Sequence, residues 1–174
     1  SARFMKVQTF ADELRRQATR PPNIVSIAEK PRSAIGMAGH GGPNTVVIWQ
    51  GPSGVWSSST AYTQTPWADA QAFVRARPFT RDYGETWVRL LPESSYRFVD
   101  DNPAEPQPTP WTRTFPHTLM STKGPDDTAF LGTWQRSPWN DAFVLDLAME
   151  LVKSRKLGTQ PGTDMLAVSL GALD

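Results

Sequence analysis

The chain contains no cysteine and only two histidines, and this scarcity narrows the chemistry open to it. Without cysteine, disulfides, zinc–thiolate sites and thiol nucleophiles are all excluded. A metal site would have to use oxygen or imidazole ligands. No stretch approaches the roughly 20 apolar residues needed to span a bilayer, and the opening SARFMKVQTF lacks the apolar core of a signal peptide. We therefore expect no membrane span in this sequence.

The charge is almost balanced, with 18 basic and 17 acidic residues and a formal net charge of +1. No basic excess is available for a phosphate backbone, so we expect no nucleic-acid partner. The standard nucleotide loops, the H-E-x-x-H motif and the EF-hand pattern are also missing. The run GHGG at 39–42 could supply oxyanion-hole amides in a serine hydrolase, with His40 or His117 as base. No G-x-S-x-G accompanies it, and a glycine-rich turn is the alternative interpretation.

What the sequence does contain begins with a helix and a strand over residues 1–28. Thr9 and Asp12 form a capping-box pattern before a helix in FADELRRQAT, which the proline pair 21–22 ends. The predicted apolar face of this helix consists of Phe10, Leu14 and Ala18. The apolar run NIVSIA at 23–28 predicts a strand. A helix followed by a strand is typical of a parallel α/β sheet.

The region 29–138 has a different pattern, which indicates an inserted α+β cap. β-prone runs at 45–49 and 54–60 flank the turn sequence QGPSG and predict a hairpin. Helical spacing of apolar residues predicts a helix over 66–76. The stretch 100–117 holds five prolines in 18 residues and should form a long surface strap.

The last region, 139–174, returns to the helix-and-strand pattern. Asn140 is the predicted cap of a long amphipathic helix, and Gly158 is the predicted residue after its end. The apolar run 165–170 predicts a central strand, buried on both faces. The predicted fold class is therefore α/β, with helix–strand units of a largely parallel sheet and an inserted cap.

Lys30 and Arg32 are the residues of greatest chemical interest. They follow a predicted strand two positions apart, so an extended segment would point both side chains the same way, and both cations suit phosphoryl oxygens. Taken alone, they could equally be two solvated surface charges. The tryptophans at 49, 56 and 67 could line a carbohydrate platform or pack a core. His40 and His117 fit turn or packing roles.

The run VSIAEKPRSAIGMAGHGG resembles the alkaline phosphatase superfamily, more narrowly the bacterial members grouped with type I phosphodiesterases and nucleotide pyrophosphatases. Those proteins carry K-x-R followed by an apolar pair and A-G-H. Four further blocks are similar to successive family blocks in the same order: VWSSSTAY, WVRLLPESSY, SPWNDAFVLDLAMELVKSRKLG and DMLAVSLGALD. The resemblance covers almost the whole chain.

The resemblance implies roles for three residues. Lys30 and Arg32 correspond to the pair that reaches the substrate phosphoryl group, a pair characteristic of the phosphomonoesterase branch. Pro31 between them departs from the family pattern. Asp174 corresponds to a zinc ligand whose histidine partner would follow beyond this sequence. The family uses two zinc ions, which can activate the attacking oxygen and hold the leaving one.

The expected protein is therefore an internal segment of a zinc-dependent phosphoric ester hydrolase, which acts on a small phosphate ester together with the remainder of its parent chain. The family's threonine nucleophile and other metal ligands have no counterpart between Ser1 and Asp174, so the segment alone is expected to be inactive and to hold no zinc. Family members are commonly exported, which implies a periplasmic or secreted location. The rival hypothesis is a tryptophan-rich module that binds a glycan or a protein.

Overall fold

The structure is a computed structural model that describes residues 2–62, 67–104 and 110–172. The chain divides into two compact units. The first comprises the residues up to Pro78 together with Asp141–Gly171, and the second comprises Phe79–Asn140 together with Ala172. Over the described ranges, no helix is long and apolar enough to cross a membrane.

The described residues form five α-helices and six strands. The helices are α1 (Phe10–Gln17), α2 (Pro31–Ala38), α3 (Ala68–Ala76), α4 (Thr128–Gln135) and α5 (Pro138–Ser154). The strands are β1 (Ile24–Ala28), β2 (Thr45–Gln50), β3 (Trp56–Ser57), β4 (Thr86–Trp87), β5 (His117–Thr118) and β6 (Met165–Ser169). In the first unit, four strands form a mixed sheet in the order β3-β2-β1-β6.

Helix α1 begins where the sequence predicts, with a complete capping box. The Thr9 backbone N–H donates to Asp12 Oδ2 over 2.9 Å, and the Asp12 N–H donates to Thr9 Oγ1 over 3.3 Å. The predicted apolar face is wrong, however, because Phe10 is 74% exposed and Ala11 is buried instead. The helix turns Asp12 and Arg15 inward because these side chains hydrogen-bond to other segments of the unit.

Strand β1 is confirmed and is central, with all five residues buried. It pairs in parallel with β2 on one side and with β6 on the other. Strand β6 is also confirmed, but its predicted central position is wrong. Among the described strands it pairs only with β1, and Leu166 is 39% exposed. Within the described residues its apolar run thus forms an edge strand, in keeping with the high strand propensity of its residues.

The predicted hairpin is confirmed by the antiparallel pairing of β2 with β3, in which Trp49 lies opposite Ser57. The turn closes through the Gly51 N–H, which donates to the Val55 carbonyl over 2.8 Å. Strand β2 thus joins the central sheet, although it lies inside the region 29–138 that the sequence assigns to a cap. The second unit begins only at Phe79.

Helix α2 replaces the extended segment predicted around Lys30 and Arg32. It begins at Pro31, and Lys30 is its N-cap residue with extended backbone angles. Proline favours this first helical position because its fixed φ suits the helix and its missing N–H would have had no intrahelical partner. Helix α3 begins at Ala68 and confirms the predicted helix, whose first residue, Pro66, lies outside the described residues.

Helix α5 confirms the long amphipathic helix but begins at Pro138, two positions before the predicted cap. Asn140 is therefore inside the first turn, where its side-chain amide donates to the Gln135 carbonyl over 3.1 Å. The helix ends at Ser154, so Gly158 does not directly follow it. Gly158 has φ +73° in the turn beyond, where a residue without Cβ is least strained.

The second unit is built around aromatic side chains. The indole N–H of Trp134 donates to Asp82 Oδ2 over 2.9 Å, and Phe79 stacks on Phe130 at 5.8 Å between ring centroids. Strands β4 and β5 form a short antiparallel pair, with Trp87 opposite His117. The described part of the predicted strap, 100–104 and 110–117, contains no helix and enters β5 at its last residue.

Candidate functional site

Lys30 and Arg32 lie at the edge of the sheet where its parallel strands end. Strand β1 finishes at Ala28, and in register with it are Trp49 of β2 and Ser169 of β6. Lys30 is half-buried and Arg32 is exposed. In open α/β sheets, ligands bind outside the carboxyl ends of the strands. Both predicted cations are therefore at the edge where a ligand site is expected.

The local backbone holds Lys30 at the start of α2. Its carbonyl accepts hydrogen bonds from the N–H groups of Ser33, over 3.1 Å, and Ala34, over 3.2 Å. Arg32 belongs to the first turn of the same helix. The amino end of a helix carries a partial positive charge, which adds to the two side-chain charges. That both contact one phosphoryl group remains a prediction.

The end of β6 lies against the residue that precedes Lys30. A Cβ placed on Gly171 would be 2.5 Å from Glu29 Oε2, so the two residues are in close contact. The Gly171 N–H donates to Asp141 Oδ1 over 3.0 Å. Two carboxylates thus lie next to the chain three residues before Asp174, which itself lies outside the described residues.

Glu29 and Asp141 did not emerge from the sequence as site residues. Each of the two residues nevertheless has a sequence feature that could have indicated it. Glu29 comes directly after a buried strand, and Asp141 is in the first turn of α5, where acidic residues are common. The sequence alone does not show that β1 pairs with β6, and it is this pairing that brings these residues to one place.

The described residues hold no group of three or more His, Cys, Asp or Glu side chains that could bind a metal ion. The donor set that zinc requires is therefore not assembled by this part of the chain.

Comparison with known proteins identifies the fold. No protein family profile matches the chain. Two curated relatives match its whole length. One, from Myroides odoratus, is named a calcium-transporting ATPase and is 29% identical, with 32% of its length covered. The other, alkaline phosphatase PhoV of Synechococcus elongatus, is 27% identical, with 31% of its length covered.

Solved structures of alkaline phosphatase PafA superpose on the chain. The wild-type enzyme matches with a TM-score of 0.76 over 95% of this chain and 32% of its own, at 24% identity. The chain shares its fold with the matched part of alkaline phosphatase PafA. It spans about a third of the length of these proteins, as the 32% coverage shows.

A second solved PafA structure, with a TM-score of 0.77 and the same identity and coverage, is of a fourfold variant. In it a threonine is replaced by serine, and an asparagine, a lysine and an arginine are replaced by alanine. The lysine and the arginine are two positions apart in that chain. Lys30 and Arg32 have the same spacing here.

His40, which follows A-G in the superfamily-like block, lies at the other end of α2. Its Nδ1 is 2.8 Å from Asp12 Oδ2, and the neighbouring Arg15 donates to the Ala38 carbonyl and to Thr45 at the start of β2. The eight residues of α2 rise about 12 Å, so this cluster is remote from Lys30. His40 is exposed and follows the last turn of α2, so of the two roles predicted for it, turn or packing, these contacts agree with the turn role.

In the cluster of Asp12, Arg15 and His40, hydrogen bonding shifts the pKa values of Asp12 and His40 in opposite directions. Burial favours a higher pKa for the Asp12 carboxyl group, but the hydrogen bonds from Thr9 and His40 together outweigh it and lower the pKa to about 2. The hydrogen bond to Asp12 raises the pKa of His40 above its ordinary value. A charged Asp12–His40 pair is thus favoured over neutral partners.

His117 and Trp56 have packing roles in the described structure. The His117 ring is buried and stacks on Trp111 at 4.9 Å, and this burial lowers its pKa despite the nearby Asp100. Trp56 is buried against Phe143 at 5.5 Å. A glycan platform would need its tryptophan side chains on the surface. Trp56, one of the three tryptophans of that rival hypothesis, is therefore not available for it.

Proposed function

We propose that the chain supplies the phosphoryl-contacting cations of a phosphoric ester hydrolase, and that Lys30 and Arg32 are those cations. The carrying observation is their position at the carboxyl end of central strand β1 and the start of α2. The joint substitution of a lysine and an arginine of equal spacing in PafA supports the assignment. The name of the Synechococcus relative, an alkaline phosphatase, agrees with it.

The chemistry needs fixed positive charge. During transfer, a phosphoryl group spreads negative charge over its three equatorial oxygens. Cations already held in position stabilise that charge without reorganising during the reaction. The backbone of Lys30 is fixed by the hydrogen bonds that start α2, so its ammonium group extends from an anchored residue.

We further propose a preference for monoesters. A monoester carries one more ionisable oxygen than a diester, so two adjacent cations gain more from binding it. The remaining part of the site, with a threonine nucleophile and two zinc ions, is proposed from the family resemblance alone. Asp174 is the one residue of this chain that we assign to zinc, and we derive no catalytic step from it. Export to the periplasm or beyond is proposed on the same ground.

The test uses the full-length protein that contains this chain, with p-nitrophenyl phosphate as substrate. Joint replacement of Lys30 and Arg32 by alanine should lower kcat/KM at least about 100-fold, the typical cost of losing a transition-state donor. The matched control replaces two exposed cations of the first unit, Arg75 and Lys153, and should leave kcat/KM within about threefold of wild type.

Two measurements separate the parts of the proposal. With bis-p-nitrophenyl phosphate, the loss on replacing Lys30 and Arg32 should be smaller than with the monoester, and an equal loss would contradict the monoester preference. A chelator should abolish turnover and added zinc should restore it. Full activity in the presence of the chelator would contradict the zinc assignment. It would not affect the role of the two cations, which the alanine replacements test separately.

A further inference from the structure

The second unit contains an open cavity of about 450 Å³, within the size range of small-molecule sites. Its walls combine aromatic rings with two guanidinium groups. The residues that matter for its chemistry are Trp87, Tyr96, Phe98, Phe115, Arg89 and Arg97. Neither the family resemblance nor the proposed function assigns a ligand to this cavity.

The floor of the cavity is fixed by the fold. Trp87 lies in β4, and its ring meets Phe115 nearly edge to face, with 5.0 Å between centroids and 81° between planes. The Phe115 N–H donates to Asp100 Oδ2 over 2.8 Å, which holds the backbone of this residue and gives the carboxylate a partner. An apolar ligand body would meet a surface that is already ordered, so less entropy is lost on binding.

The guanidinium N–H groups of Arg89 and Arg97 are available to donate hydrogen bonds to a ligand. Arg89 is only 25% exposed and lies over the Tyr96 ring at 5.6 Å. Its nearest carboxylate oxygen is Oε2 of Glu93, at 3.8 Å, and the Glu93 side chain is 79% exposed. Arg97 lies over the Phe98 ring at 5.3 Å. Among the residues that the structure describes, none accepts a hydrogen bond from either guanidinium group.

We propose that this cavity binds a small aromatic dianion with a phosphoryl-type head group. The flat apolar body packs on Trp87 and Phe115, and the head group accepts hydrogen bonds from Arg89 and Arg97. Guanidinium groups match the oxygens of such a head group in geometry as well as charge. Glu93 is largely solvated, so an incoming dianion displaces it from Arg89 at little cost.

The experiment measures binding of phenylphosphonate, which is not an ester, to the 174-residue chain by calorimetry and by the fluorescence of the tryptophans. Saturable binding is expected, at least about tenfold tighter than that of inorganic phosphate, phenol or benzoate. Equal binding of inorganic phosphate would overturn the role of the aromatic walls. Equal binding of benzoate would overturn the preference for a dianion.

Variants locate the site. Arg89→Gln should weaken binding at least about tenfold, because it removes one charged donor, whereas Arg136→Gln, an exposed arginine of the same unit, should change nothing. Phe98→Ala should also weaken binding, and Phe98 is 71% exposed, so its replacement should not impair folding. Undiminished binding by both Arg89→Gln and Phe98→Ala would overturn the proposal.

The same titration on a Lys30→Ala, Arg32→Ala chain separates this cavity from the proposed phosphoryl site. Binding of phenylphosphonate should persist unchanged in that variant. If it disappears there, the ligand binds at the proposed site and the cavity proposal fails, while the proposed function gains. If binding persists but is lost in Arg89→Gln, the cavity is confirmed whatever the outcome of the activity test.

Discussion

Asp12 accepts hydrogen bonds from three parts of the first unit, although its side chain is only 11% exposed. The donors are the backbone of Thr9 at 2.9 Å, Arg15 at 3.0 Å and the backbone of His40 at 2.8 Å. Asp12→Asn keeps the shape but turns an amide toward these donors. We expect a loss of about 2 to 3 kcal/mol in the free energy of unfolding, measured in urea.

Glu13→Gln is the matched control for Asp12→Asn. Glu13 lies on the same helix and pairs with Arg16, but the arginine side chain is 63% exposed. Such surface pairs contribute little, so the control should leave the free energy of unfolding almost unchanged. Similar losses from the two substitutions would show that Asp12 does not organise the cluster.

The Asp12–His40 pair predicts a pH window for stability. The pKa of Asp12 is lowered from 3.8 to about 2, so its stabilisation is complete above pH 3.8 and is lost as the pH falls toward about 2. The pKa of His40 is raised from 6.5, so its stabilisation is complete below pH 6.5 and is lost as the pH rises through the higher folded value. The pair therefore stabilises the unit most between these limits.

His40→Gln tests that window. The difference in Tm between wild type and His40→Gln should be larger near pH 5.5 than near pH 9, because only the protonated imidazole forms the ion pair. Thermal unfolding followed by circular dichroism gives both values. A difference that stays constant over this range would mean that His40 is bound as the neutral ring.

At the scale of elements, short sequence motifs correctly predicted the structures that depend on interactions between neighbouring residues. The capping box of α1, the apolar run of β1 and the turn sequence between β2 and β3 each act over a few residues, and the structure has all three. Helix α2 departs from the extended segment predicted for Lys30 and Arg32, although Pro31 between them is favoured at the first helical position. The sequence therefore did contain a signal for the start of this helix.

The position of β6 in the sheet is a property of the whole unit and could not be predicted in the same way. Its apolar run indicates a strand, but the number of neighbouring strands depends on pairing between distant residues. The contact between Gly171 and Glu29 follows from the parallel pairing of β6 with β1, across more than 140 positions, as their numbers show. No local pattern encodes a contact at that separation.

The hydrogen bond from Gly171 to Asp141 fixes the end of β6 and can be tested directly. Asp141→Ala removes the acceptor, so the Gly171 amide should exchange with solvent at least about tenfold faster, as expected for a bond to a charged acceptor. Asp146→Ala, on the exposed side of the same helix, is the control. Unchanged exchange at Gly171 in Asp141→Ala would show that the strand end is held by other contacts.

At the scale of the whole molecule, sequence and structure contribute different parts of the candidate site. The K-x-R spacing identified Lys30 and Arg32, and the fold places them at the expected edge of the sheet. The acidic residues Glu29 and Asp141 became visible only when the strands were paired. The proposed metal ligand Asp174 remains a prediction from the resemblance.

The last prediction concerns the chain by itself. By the family resemblance, the threonine nucleophile has no counterpart among the 174 residues, and their described part assembles no metal-binding group. We therefore expect the isolated chain to show no turnover of p-nitrophenyl phosphate, with or without added zinc, because charge stabilisation by Lys30 and Arg32 needs a nucleophile to act upon. Zinc-dependent turnover by the isolated chain, retained after repeated purification, would mean that these residues hold a complete site.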